Sequence, residues 1–189
     1  MCWPRKSLTL MKSITLTDLK SYLSGKTEKQ LAGEITELFR QFSAVRDYYT
    51  SKLNSAGSAD ILEKYKNIIR NEFFPTRGFG KARLSVARKA VNDLRKVATS
   101  KHQVADIMLF YVEQGSRFTN EYGDIDERFY TSMESMYESA LQFIADNSMQ
   151  SDLQGRCALI VENATDGWGF YDSLSALHDE FLGNESEKE

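Results

Sequence analysis

Apolar residues recur along this chain in steps of three and four, the spacing that places them on one side of an α-helix. Leu16, Leu19 and Leu23 form the first set, behind a cap at Thr15 or Thr17 and ahead of Gly25. Thr27 and Gln30 have the spacing of a capping box, and Leu31, Ile35, Leu38 and Phe42 carry the next helix to about Leu53. Asn54, Ser55, Gly57 and Ser58 predict a turn. Leu62, Tyr65, Ile69 and Phe73 mark a helix over 59–73, which must stop before Pro75 because the residue preceding a proline is pushed out of the α region. Residues 75–81, with Gly78 and Gly80, read as a tight turn that plugs Phe79 into the core.

The helix predicted over 81–98 has the clearest layout. At about 100° per residue, Leu84, Val86, Ala87, Ala90, Val91, Leu94, Val97 and Ala98 fill an arc of roughly 160°. Lys81, Arg88, Lys89, Arg95 and Lys96 share the neighbouring arc, so the helix is basic and amphipathic. Arg83 falls inside the apolar arc, which demands a carboxylate partner, expected from residues 113–134. The run from Ile107 to Val112 resembles a buried strand, yet Val104, Met108, Tyr111, Phe118 and Tyr122 continue a helical spacing around it and no second strand exists to pair with. A central helix over 103–118 follows. Asp124 and Glu127 predict a capping box for a helix through Phe129, Met133, Met136, Ala140 and Ile144. Two further helices carry Leu153, Cys157, Ile160 and Val161, and then Phe170, Leu174, Leu177 and Phe181, separated by a turn at Gly167, Trp168 and Gly169. The expected architecture is all-α: a single domain over 11–182, with seven or eight helices in antiparallel hairpins. A disordered leader over 1–10, with Met11 as an alternative start, and a frayed tail over 183–189 flank it.

Composition narrows the function classes. Of 189 residues, 41% are hydrophobic and 12% aromatic, enough for a core without disulfides. Two cysteines and two histidines leave too few soft ligands for structural zinc, and neither a metal nor a cofactor is expected. No run approaches 18 apolar residues, and the N-terminal sequence lacks a signal-peptide core, so the protein reads as cytoplasmic with no membrane partner. The net charge of −3 hides an asymmetry. Residues 62–101 carry 11 basic against 3 acidic side chains, for +8, and residues 102–189 carry 4 against 18, for −14. The two segments either neutralise each other within the fold or leave a basic face for an anionic partner, nucleic acid or an acidic protein surface.

Residues 77–81, Arg-Gly-Phe-Gly-Lys, resemble a phosphate loop only in their glycines; they lack the spacing of nucleotide-hydrolysing loops and follow a helix rather than a strand. Asp124 and Glu134 offer oxygens for a divalent metal without matching a calcium loop, and Trp168 between two glycines has the freedom to line a cleft. If Arg77, Arg83, Asp124, Glu134 and Trp168 converge, they form a candidate cleft. The stretches 74–85, 118–127, 132–138 and 168–170 resemble those of a bacterial, all-helical family of unknown function. That resemblance implies one compact helical domain from Met11 to about Phe181 and brings no activity or site residues. The residues themselves favour a non-enzymatic binding module using the basic helix face; the alternative is a carboxylate-dependent hydrolase built on the Asp124 and Glu134 region.

Overall fold

The computed structural model describes residues 13–183; the leader over 1–10 and the tail beyond Gly183 lie outside them. The described residues are all-α, with nine α-helices and no strand. They fall into two compact units, one ending at Ser43 and one beginning at Ala44.

The first unit is a helical hairpin of α1 (Leu16–Ser24) and α2 (Glu28–Gln41). Each helix opens on a capping box, Thr27 with Gln30 as the sequence predicts and Thr15 with Asp18, which decides for Thr15 over Thr17, so orphan N–H groups of the first turns are satisfied locally. Tyr22 donates to Glu34 across the hairpin, and Lys26 pairs with the same carboxylate. Neither helix has a buried residue. Phe42 is extended, with φ −114° and ψ 119°, and separates α2 from α3 (Ser43–Leu53). The apolar spacing passes through one extended residue without losing phase, which is why the pattern reads as one helix to Leu53 and the count rises to nine.

In the second unit α3 docks on α4 (Ser55–Phe73) through Asp47, which accepts from Lys64 at 2.6 Å and from the Tyr65 hydroxyl at 3.0 Å. The turn expected at Asn54 is instead the start of α4, because the Asn54 side chain accepts the Ala56 N–H and makes a cap. Then come α5 (Leu84–Val97), α6 (Lys101–Tyr122), α7 (Glu127–Asp146), α8 (Gln150–Glu162), a single 3₁₀ turn at Gly167–Gly169 and α9 (Phe170–Leu182). The cap of α7 is Asp126 and not Asp124, whose carboxylate is taken by the Tyr130 hydroxyl at 2.9 Å.

Helix α6 is the central one, packed against α4, α5, α7 and α8. Ile107, Leu109, Tyr111 and Val112 on its different faces are all fully buried, which accounts for the unbroken apolar run. An ion network ties its polar remainder to two neighbours. Arg156 of α8 clasps Glu113 at 2.6 and 2.9 Å and also binds Asp106, whose other oxygen meets Lys66 of α4 at 2.7 Å. Burial works against the Arg156 charge, and the two carboxylates more than offset it. Cys157 is fully buried, as its apolar position predicts, and burial pushes its thiol up to about 12. The Tyr137 hydroxyl of α7 donates to its carbonyl at 3.0 Å.

Where α6 packs on α7, Gly115 faces the buried Met133 side chain, and an added Cβ would lie 2.1 Å from its sulfur. Gly115→Ala should therefore cost roughly 1–3 kcal/mol by overpacking. Gly155→Ala on exposed α8, where nothing lies within 4 Å, should stabilise by about 0.8 kcal/mol through helix propensity. Urea titration of both variants checks the opposite signs.

Candidate anion-binding site

Pro75 ends α4, and the chain must turn back to start α5 over the next eight residues. Glu72 closes that loop twice. Its carbonyl accepts the Ala82 N–H at 2.8 Å, and its carboxylate accepts from the Arg83 N–H, Nε and Nη2 at 3.3, 2.9 and 2.7 Å. Arg83 thus has a carboxylate partner, though from α4 and not from residues 113–134. The burial also falls on the other member: the Glu72 side chain is 8% exposed and that of Arg83 56%. The reason is that α5 begins at Leu84, so Arg83 is the cap residue and lies off the apolar arc of the helix. Hydrogen bonds from Arg83 hold the Glu72 carboxyl below its usual range, against the effect of burial.

Two glycines serve this loop for different reasons. Gly78 has φ +76°, and Gly80 lies so close to the end of α4 that a Cβ would sit 1.9 Å from the Phe73 carbonyl oxygen. Between them Phe79 is 84% exposed, so the expected core plug is instead a ring held outward. Its nearest aromatic neighbour is Tyr122, edge-on at 6.3 Å; Tyr122 stacks on Phe74 at 6.1 Å, and the Arg117 guanidinium covers Phe74 at 4.3 Å.

The five cations of the predicted basic stripe separate. Lys81 lies before the helix, in the loop. Lys89 and Lys96 are exposed and share Asp93. Arg95 lines a groove with Glu138 and Asp146 of the acidic segment. Arg88 is half-buried against α7, where its Nη2 donates to the Ser132 carbonyl and the Ser135 hydroxyl, and its Nε is buried without a partner. Arg88 and Arg128 face a groove of about 490 Å³ that is also lined by Ser85, Thr131, Ser132 and Ser135 hydroxyls, with Glu127 at its side. A second groove of about 420 Å³ holds Lys81, Arg83, Asp126 and Arg128. Both grooves include Leu84, Ser85 and Arg128, so they form one tract along the starts of α5 and α7.

The N-terminal end of a helix carries partial positive charge. Helix α5 has no acid in its first turn, whereas the start of α7 carries the Asp126 cap and Glu127 beside Arg128. Arg128 is a site residue that the sequence pattern did not bring forward; a cation in a first turn is the signal for it. Glu72 has a similar signal, since its steps of seven from Tyr65 and three from Ile69 put an acid on the apolar face of α4.

Within the basic segment, Glu63, Glu72 and Asp93 are consumed by Arg70, Arg83 and the pair Lys89 and Lys96. Among the described residues, Lys66 with Asp106 is the ion pair that joins the +8 segment to the −14 segment. Arg77, Lys81, Arg88 and Arg128 have no ion pair among those residues.

The other candidate cleft does not assemble. Asp124 sits under Gly167, whose added Cβ would meet its oxygen at 1.9 Å, and so lies beside the turn carrying Trp168. Trp168 is 59% exposed with φ +56°. Arg83 is clamped to Glu72, Arg77 is exposed in the 74–83 loop, and Glu134 stands two turns into α7, about 12 Å of helix rise beyond the Asp126 cap. Among the described residues no group of three or more acidic, histidine or cysteine side chains is arranged to hold a metal ion. No described helix is long and apolar enough to cross a membrane.

The fold and the tract together define an all-helical protein whose most distinctive surface is a loop-and-helix-end cluster of unpaired cations. The chain belongs to a family of unknown function, DUF6155, which it matches over residues 14–182. No curated protein and no solved structure matches it.

The clamp predicts a pH signature. Because the folded Glu72 carboxyl titrates below its unfolded value of about 4.3, its contribution is present above that pH and lost as pH falls through the folded pKa. Glu72→Gln should cost roughly 1–2 kcal/mol at pH 7, and the difference from wild type should shrink below about pH 4 in denaturation titrations.

Proposed function

We propose that this protein is a non-enzymatic binding module that receives an anionic partner along the tract from the 74–83 loop to the starts of α5 and α7. The observation that carries this reading is the half-buried Arg88 guanidinium, which faces an open groove with Arg128 and has no carboxylate partner among the described residues. A cation that is partly withdrawn from water gains most from an anion that completes its hydrogen bonds. The start of α5, which has no acid in its first turn, acts in the same direction, and the hydroxyls of Ser85 and Thr131 supply neutral donors beside the two guanidinium groups. A cytoplasmic, bacterial setting, expected from the sequence, goes with this reading. The face is shifted from the one expected: Lys89, Arg95 and Lys96 have acidic neighbours of their own, so the site centres on Lys81, Arg88 and Arg128.

Arg128 is exposed and makes no hydrogen bond or ion pair among the described residues, so Arg128→Gln tests the site without disturbing the fold. Against a panel of polyglutamate, a sulfated polysaccharide and an oligonucleotide at low salt, wild type should bind at least one probe. Arg128→Gln should weaken that binding, and the double variant with Arg88→Gln should weaken it further. Absence of binding to every probe in the panel would overturn the reading.

A further inference from the structure

We infer that the partner is a single-stranded nucleic acid whose bases stack on Phe79 and Tyr122 while its phosphates follow Arg77, Lys81 and Arg128. The inference rests on the anionic-partner reading above and adds the aromatic platform, which that reading does not use.

Phe79 is 84% exposed, and the neck of its loop is closed by the Glu72 clamp on Ala82 and Arg83 and by the close approach of Gly80 to the Phe73 carbonyl. A partner therefore meets a ring carried next to a closed backbone neck, which lowers the conformational entropy lost in docking on it. Tyr122, 44% exposed, extends the aromatic surface and is itself backed by Phe74 under the Arg117 guanidinium. Arg77 and Lys81 stand two residues to either side of Phe79, both exposed and neither ion-paired among the described residues. Lys81 also opens the groove that Arg128 shares.

Phe79, an exposed ring with a cation two residues to either side, matches a ligand with flat π faces and regularly placed negative charges, which is the chemistry of single-stranded nucleic acid; Tyr122 beside it follows the acidic Glu121. A duplex hides its base faces, and the exposed cations of α5 have acidic neighbours, Asp93 beside Lys89 and Lys96 and the groove of Glu138 and Asp146 beside Arg95. An acidic peptide supplies charge without faces to stack. A lipid surface favours a contiguous apolar patch, whereas Phe79 is flanked by glycines and cations.

The test is fluorescence anisotropy of the full chain with a labelled oligothymidylate of about 12 nucleotides, a length within known single-strand site sizes. A mixed-sequence duplex, polyglutamate and anionic phosphatidylserine vesicles run beside it. The oligothymidylate should bind more tightly than the duplex. Phe79→Ala should weaken it roughly 5- to 100-fold without changing the helical circular dichroism, and Phe79→Trp should retain it. Phe79→Ala should leave the slope of log affinity against log salt unchanged, while Lys81→Gln and Arg128→Gln should each lower it by about 0.7. Equal binding by wild type and Phe79→Ala, or tighter binding of the duplex, would overturn the stacking inference. Binding to polyglutamate or vesicles without the oligothymidylate would overturn it too and leave the anionic-partner reading standing; silence in every arm would overturn both.

Discussion

Helix α6 can exist only if it is surrounded. Apolar side chains occupy nearly its whole circumference between Val104 and Phe118, so no single partner helix can cover it. Four neighbours, α4, α5, α7 and α8, do so together. The remaining α6 carboxylates at Asp106 and Glu113 are then withdrawn from water and need cations, which Lys66 and Arg156 bring from opposite sides of the chain. Enclosing α6 thus dictates both the packing of the second unit and the place of its main ion network.

The loop between α4 and α5 follows from the same enclosure. Both helices must lie against α6, and Pro75 forbids continuing the first into the second, so the reversal has to be made in a short stretch. Glu72 makes it by binding backbone and side chain of the returning strand of chain at once. What the clamp leaves outside, Phe79 between Arg77 and Lys81, is a consequence of how tightly the inside is closed.

The helices were legible because their apolar residues keep phase, even at 107–112, where local composition argued for a strand. The cap at Thr27 was legible because it is a short-range hydrogen bond between residues three apart, whereas the first cap stood open between Thr15 and Thr17. Less legible were features decided by contacts across the chain. Asp124 and Asp126 both offer a cap, and the Tyr130 hydroxyl and Gly167 engage the first, leaving the second to serve α7. Arg83 was recognisable as a residue needing a carboxylate, but its partner comes from the end of the preceding helix, a distance in space that periodicity does not report. The basic stripe looked uniform on a helical wheel, and a wheel carries no information about Asp93 beneath Lys89 and Lys96 or α7 beneath Arg88.

Cys157 gives the second unit a chemical clock. Its sulfur is fully enclosed and its thiol is held protonated, so a thiol-directed reagent can reach it only when α8 separates from its neighbours. The rate of labelling at Cys157, resolved from that at Cys2, would then count those separations, the buried sulfur reporting how often the enclosure around α6 comes open.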